Sequence, residues 1–330
     1  MQSFKAFRIH NQDGKITAHF DQVMLDEIGI GNVVIRVVYS TINYKDALAA
    51  TGAGRIIKHY PLVGGIDLAG FVHSSEDPRF NVGDPVLAVG CGLGEEHDGG
   101  YAEYAKVKGD WIVPLPDGLK LSEAMAIGTA GFTAAMAIQR MEDNGQTPAN
   151  GPVLVTGASG GVGSIAISML SGLGYNVTAL SRTGQETYLK SIGALDVIDR
   201  TSLEMGERPL EKSLWGGAID ALGGKTLAWI TRTVHPLGNI ACIGLAGGHD
   251  LVTTVMPFIL RGINLLGINS TYCPVPLREK VWSRLAADLK PAALDIIAGR
   301  TVSFEEMPDL FEDYIQGRIT GRTLVKIGVE

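Results

Sequence analysis

The densest signal in the chain is Val153-Leu154-Val155-Thr156-Gly157-Ala158-Ser159-Gly160-Gly161-Val162-Gly163-Ser164. A continuous apolar strand runs into a glycine-rich turn, and a helix begins on its far side. Gly160 keeps the turn tight and lets backbone approach a pyrophosphate. Gly163 lets the helix pack close to the strand. The helix start offers N–H groups and the positive end of its dipole to phosphates. A glycine-rich loop alone is weak evidence, but a second strand ending about 20 residues on supplies the context a dinucleotide site requires. The same residues also read as G-x-S-x-G, the nucleophile elbow of serine hydrolases. That reading would recruit Asp220 with His235 or His249. It has no use for Gly163 or for the polar cluster after the next strand. Dinucleotide binding is therefore preferred, with the elbow and a merely structural turn as alternatives.

The second strand ends in Leu180-Ser181-Arg182-Thr183-Gly184. A carboxylate here would bind the ribose 2′-hydroxyl of NAD. None is present. Arg182 is suited to a charge-assisted contact with a 2′-phosphate, and the Ser and Thr hydroxyls can donate to it. NADPH is preferred over NADH, and a solvated surface arginine is the alternative.

Working outward, strands alternate with helices from about residue 153 to 243. Strands are expected at Asn176–Leu180, Asp196–Ile198, Gly217–Asp220 and Asn239–Ile243. Helices are expected at Ser164–Leu173, Gln185–Ile192 and Thr226–Val234. Such alternation predicts right-handed βαβ units and a doubly wound parallel sheet. The first third reads differently. Val33–Tyr39, Val86–Val89 and Tyr101–Val107 are short strands among glycine turns, as in a partly closed barrel or sandwich. Leu121–Ile127 and Thr129–Met141 read as helices. After about residue 265 the pattern loosens into a helix at Lys280–Leu289, strands at Thr301–Phe304 and Thr323–Ile327, and a helix at Met307–Gln316.

Composition bounds the function. The 330 residues include 43 glycines and 45% hydrophobic residues, which argues against disorder. The net charge of −7, without a basic stripe, argues against nucleic acid. The N-terminus carries no apolar signal segment, and no uninterrupted apolar run is long enough to span a bilayer. Cys91, Cys242 and Cys273 are widely spaced and form no CxxC, so buried thiols in a reducing cytoplasm are expected.

These motifs and the β-rich N-terminal region resemble the medium-chain dehydrogenase/reductase superfamily. The likeness narrows further in Asn43-Tyr44-Lys45-Asp46-Ala47, Ser75–Phe80, Lys108–Trp111, Gly128–Thr133, Gly157–Gly163, Gly244–Gly248, Met256–Arg261 and Gly321–Val325. In order and over essentially the whole chain, they resemble the NADPH-dependent acrylyl-CoA reductase family of the quinone-oxidoreductase-like branch. The resemblance implies an α/β fold with a GroES-like β-rich catalytic domain (residues 1–122 and 266–330). It also implies a Rossmann NADPH-binding domain (residues 123–265), a site in the cleft between them, and a homodimer.

By the same likeness, Tyr44 lies beside the nicotinamide, and Ser159, Gly160, Gly161 and Val162 form the pyrophosphate turn. Ser181, Arg182 and Thr183 form the 2′-phosphate pocket. Arg200, Leu245, Ile259, Ser270 and Arg322 match further cofactor contacts. Zinc alcohol dehydrogenases of the superfamily carry a Gly-His-Glu motif. The matching segment Gly64–Gly70 has neither His nor Cys, and no metal ligand is expected. The implied reaction is NADPH-dependent reduction of acrylyl-CoA to propionyl-CoA. Tyr44 would orient the nicotinamide or acyl group and relay a proton, with Asn43 and Lys45 as candidate enolate donors. A quinone or alkenal reductase is the nearest alternative. A serine hydrolase and a non-catalytic NADPH binder are remote ones.

Overall fold

The computed structural model describes residues 3–330. Met1 and Gln2, where the first expected domain begins, lie outside the described residues. The chain folds as two compact units. One contains the chain up to Thr129 with Thr271–Ala286 and Ala298–Glu330, and the other contains Ala130–Ser270 and Ala287–Ile297.

The second unit is built on a sheet that is six-stranded among the described residues and wholly parallel. Its spatial order is Asp196–Asp199, Val177–Ser181, Val153–Thr156, Trp215–Asp220, Val234–Cys242 and Asn264–Gly267. In chain order this is 3-2-1-4-5-6, the doubly wound arrangement. Val153, Leu154 and Val155 are fully buried, as continuous apolar strands of such sheets must be. The order reverses between Val153–Thr156 and Trp215–Asp220, so the glycine-rich turn stands at the switch point, where this fold binds ligands.

Among the described residues, the strands of the first unit pair antiparallel, apart from Arg300–Ser303, which runs parallel to Thr323–Lys326, and an isolated parallel bridge between Leu93 and His97. Val33–Thr41 is its centre and pairs with Asp67–Ser75, Tyr104–Val107 and Thr323–Lys326. The last of these pairings stitches the C-terminal tail onto the N-terminal third. Val33, Ile35, Val37, Leu68, Val72, Val86 and Val107 form a core beneath it. A second sheet joins Lys15–Val23, Phe4–Gln12 and Leu62–Val63.

Three expectations need correction. The domain boundary at 122/123 falls seven residues early, because the division comes within the helical run Leu121–Asp143 just past Gly128, whose φ of 49° interrupts it. The boundary at 265/266 cuts through the sixth strand, Asn264–Gly267, whose apolar stretch Leu265-Leu266 is too short, between Asn264 and Gly267, to mark a strand by itself. Residues 287–297 belong to the nucleotide-binding unit. There Leu294 and Ile297 are buried, and the Ala293 N–H donates to Ser168 Oγ on the helix Gly161–Gly172 at 3.1 Å.

That helix begins three residues before its expected start. Among the described residues, Leu121–Asp143 is long and apolar enough to cross a membrane, which the sequence reading did not anticipate. It is 83% buried inside the protein over its apolar window, as a core helix is.

Candidate active site

In the nucleotide-binding unit, Gly157 takes a left-handed φ of 59° and turns the chain out of the first strand. The helix Gly161–Gly172 then opens at Gly160 with no side chain capping it, so its first N–H groups, which lack intrahelical acceptors, are not taken by a side-chain cap. A Cβ on Gly163 would lie 2.5 Å from Gly157 O, and the close approach there admits only glycine. Ser159, Gly160, Gly161 and Val162 are partly exposed. An uncapped helix start behind a tight glycine turn fits a pyrophosphate.

The hydrolase alternative can be checked bond by bond. Ser159 Oγ accepts from Ser181 Oγ at 3.2 Å. Asp220 is buried; its oxygens accept from Thr156 Oγ1 at 2.6 Å and from Gly223 N at 2.7 Å. Burial pushes its carboxyl up, against the Thr156 hydroxyl, which lowers it. His235 Nδ1 contacts Asn150 O at 3.2 Å, and His249 pairs with Asp250 on the surface. The presumptive triad members each have other partners, and Asp220 ties together the two strand ends of the switch point.

Ser181 stands opposite Asp199 in the parallel register, so Arg182 and Arg200 leave the ends of adjacent strands. Thr183 Oγ1 donates to Asp199 Oδ2 at 2.5 Å, and Asp199 Oδ1 accepts from the Thr201 N–H and hydroxyl. Those hydroxyl and N–H donors hold Asp199 below the usual carboxylate range, that of Thr183 most strongly. Sequence reasoning missed Asp199. Its signal was the Asp199-Arg200-Thr201 run closing the third strand, one strand over from the position inspected.

Gly244 and Gly247 pack on the backbone of Ala221 and Leu222. A Cβ on Gly244 would sit 2.5 Å from Ala221 O, and Gly247 N donates to Leu222 O at 2.7 Å. This close packing leaves Leu245 exposed. Ile259, on the short helix Met256–Arg261, is also exposed, and Ser270 Oγ accepts from Thr133 Oγ1 at 2.8 Å.

In the first unit, Asn43-Tyr44-Lys45-Asp46 starts the helix Tyr44–Thr51. Asp46 Oδ2 accepts from Asn43 N at 2.9 Å, one arm of a capping box. Asn43 Nδ2 donates to Asp46 at 3.1 Å and to Asp67 Oδ2 at 2.8 Å, and its Oδ1 accepts from Arg322 Nη1 at 3.0 Å. Asp67 also accepts from the N–H and hydroxyl of Thr129. Arg322 donates to Ala126 O, Ile42 O and Thr41 Oγ1, and its Nη2 lies 3.9 Å from Asp67 Oδ2. A Cβ on Gly128 would come within 2.8 Å of both members of this pair, so the interrupting glycine makes room for it.

Two buried carboxyls, Asp46 and Asp67, share Asn43 here, and Asp67 faces the Arg322 guanidinium. Burial, and then the charge of Asp67, push Asp46 up to about 7. Burial also pushes Asp67 up, against the pull of Arg322.

This network corrects two expectations. Arg322 is buried, places four of its five N–H groups on protein acceptors and faces Asp67 with Nη2, so its side chain is turned inward rather than toward a cofactor or CoA phosphate. Asn43 likewise spends its amide hydrogens on Asp46 and Asp67. Tyr44, at the helix start they fix, is 46% exposed, and Lys45 Nζ pairs with Glu95 Oε1 at 2.9 Å. The segment Gly64–Gly70 does not fit zinc. It offers no His or Cys, and the Asp67 oxygens are taken by Thr129, Asn43 and Arg322.

A GroES-like β unit joined to a 3-2-1-4-5-6 Rossmann unit defines a medium-chain dehydrogenase/reductase. Residues 29–117 match the family described as the alcohol dehydrogenase GroES-like domain, and 161–287 the one described as zinc-binding dehydrogenase. Acrylyl-CoA reductase AcuI of Ruegeria pomeroyi is 44% identical over 318 residues, 96% of each chain. YhfP of Bacillus subtilis, provisionally named a quinone oxidoreductase, is 48% identical over 98% of this chain and 99% of its own; its structure with NAD bound superposes with a TM-score of 0.95. YhdH of E. coli K-12, solved with NADPH, is 48% identical with a TM-score of 0.94, covering 98% of this chain and all of its own. The chain belongs to the acrylyl-CoA reductase family of medium-chain dehydrogenases/reductases.

Proposed function

We propose that the protein reduces the carbon–carbon double bond of acrylyl-CoA to give propionyl-CoA, with NADPH as reductant. The observation that carries the cofactor choice is the pair Arg182 and Arg200 at neighbouring strand ends, beside an uncapped helix start. Two guanidinium groups suit the extra 2′-phosphate of NADPH, and the acid beside them, Asp199, already serves Thr183 and Thr201. Family membership supports the substrate.

Bound NADPH supplies a hydride for Cβ of the acrylyl group. Negative charge then develops on the thioester oxygen, and Cα takes a proton. Tyr44 orients the acyl group and delivers that proton from its phenol. Asn43, Asp46, Asp67 and Arg322 hold the helix start that presents it. Lys45 stands next in the helix, held by Glu95, as the remaining candidate donor to the developing oxyanion.

The name of YhfP favours a second reading, quinone or alkenal reduction, because conjugated carbonyls undergo the same hydride step. NADPH oxidation measured side by side on acryloyl-CoA, crotonyl-CoA and a simple quinone tests both. The proposal expects the highest kcat/KM on acryloyl-CoA, and a quinone preference overturns it.

The protein is further read as a homodimer of the cytoplasm. The sheet ends at the strand Asn264–Gly267, and the preceding segment exposes Val252, Val255 and Leu260. Such an edge and apolar surface are covered by a second copy. Free Cys91, Cys242 and Cys273 suit a reducing compartment.

A further inference from the structure

We propose that His10, His19 and Asp21 form a binding site for one divalent transition-metal ion on the outer face of the N-terminal hairpin. The strands Phe4–Gln12 and Lys15–Val23 pair with Arg8 opposite His19 and His10 opposite Thr17. Side chains alternate between faces, so Phe7, Ile9, Ala18 and Phe20 turn to the core while Arg8, His10, His19 and Asp21 share the other side.

The two imidazoles stack with centroids 4.5 Å apart and planes within 2°. Both ring edges meet one carboxylate: His10 Nε2 lies 2.9 Å from Asp21 Oδ2, and His19 Nε2 lies 3.2 Å from Asp21 Oδ1. All three ligand atoms lie within 4.8 Å of one another. Ligands about 2.0–2.1 Å from a tetrahedral ion stand roughly 3.3 Å apart. The imidazole–carboxylate spacings already match, and the stacked rings must swing out of parallel for both Nε2 lone pairs to converge on one ion.

Two imidazoles and one carboxylate suit Zn²⁺, Co²⁺, Ni²⁺ or Cu²⁺ and not Mg²⁺ or Ca²⁺, which prefer all-oxygen shells. The half-exposed His19 leaves the fourth position to water. On binding, each imidazole carries its proton on Nδ1 and turns the Nε2 lone pair to the ion. The ion takes the place beside Asp21 now held by Arg8, whose Nη1 is 3.7 Å from Oδ2. Bound there, it would clip together the two strands of the hairpin. The site stands on the first hairpin, among residues that the NADPH and acyl-CoA chemistry does not use.

Tag-free, full-length protein titrated with CoCl2 and then ZnCl2 tests the site. The expected result is one ion per chain, with the absorption bands of four-coordinate Co²⁺ that Zn²⁺ abolishes. The double variant His10→Ala/His19→Ala should lose at least ~10-fold in affinity, and Asp21→Asn should weaken binding with both rings retained. Circular dichroism confirms that each variant is folded. The proposal is overturned if the wild type shows no such bands, or if the double variant binds Zn²⁺ as tightly as the wild type.

Discussion

At the end of Val177–Ser181, Arg182 follows a buried serine and stands one strand away from Arg200. A hydrogen bond to a charged group is worth about 1.5–3 kcal/mol. Arg182→Ala should therefore raise KM for NADPH about 10- to 100-fold and leave KM for NADH nearly unchanged. Equal effects on both would refute the 2′-phosphate role. Tyr44→Phe keeps the ring and removes the hydroxyl. Positioned proton transfer is worth roughly 10²–10⁴-fold, so kcat on acryloyl-CoA should fall at least ~10² with NADPH affinity retained. An unchanged kcat ends the proton role. The strand-end position of Arg182 was legible in the sequence, because strand ends are a local pattern. The partners of Arg322 were not, because Ile42, Asn43, Asp67 and Ala126 are about 200–280 residues away along the chain, and the pairing of Thr323–Lys326 with Val33–Thr41 brings them together.

Elements were legible where their period was strong. The strand Val153–Thr156 and the glycine turn after it stood out, and the structure gives both a common purpose: strand, turn and helix meet at closest approach. Gly163→Ala puts a Cβ 2.5 Å from backbone Gly157 O and should cost about 1–3 kcal/mol, read as an earlier urea midpoint. Gly160→Ala meets nothing nearer than 3.3 Å, so it should leave the midpoint nearly in place while weakening NADPH binding measured by fluorescence. Equal destabilisation by the two would contradict their separate roles. The hairpin Phe4–Val23 went unread although its turn announced it. Asp13-Gly14, both at positive φ, is the two-residue connection that right-twisted hairpins favour. The strand Asn264–Gly267 carried a weaker signal, since its apolar pair Leu265-Leu266 is broken on both sides by Asn264 and Gly267.

For the whole molecule, the fold class was readable from alternation, whereas the borders of its units were not. Residues 287–297 return to the nucleotide-binding unit through packing on one helix, a tertiary contact that no local pattern encodes. Assembly belongs to this scale too. Light scattering after size exclusion should give twice the mass of one chain, and Val255→Asp should shift it to a monomer. A wild-type monomer would refute the dimer. The central claim, hydride transfer from NADPH to an acrylyl thioester, is tested most directly by isotope. Turnover of acryloyl-CoA with NADPH deuterated at the transferable C4 position should place one deuterium on Cβ of propionyl-CoA and solvent hydrogen on Cα. Propionyl-CoA without deuterium at Cβ, or no turnover at all, would contradict it.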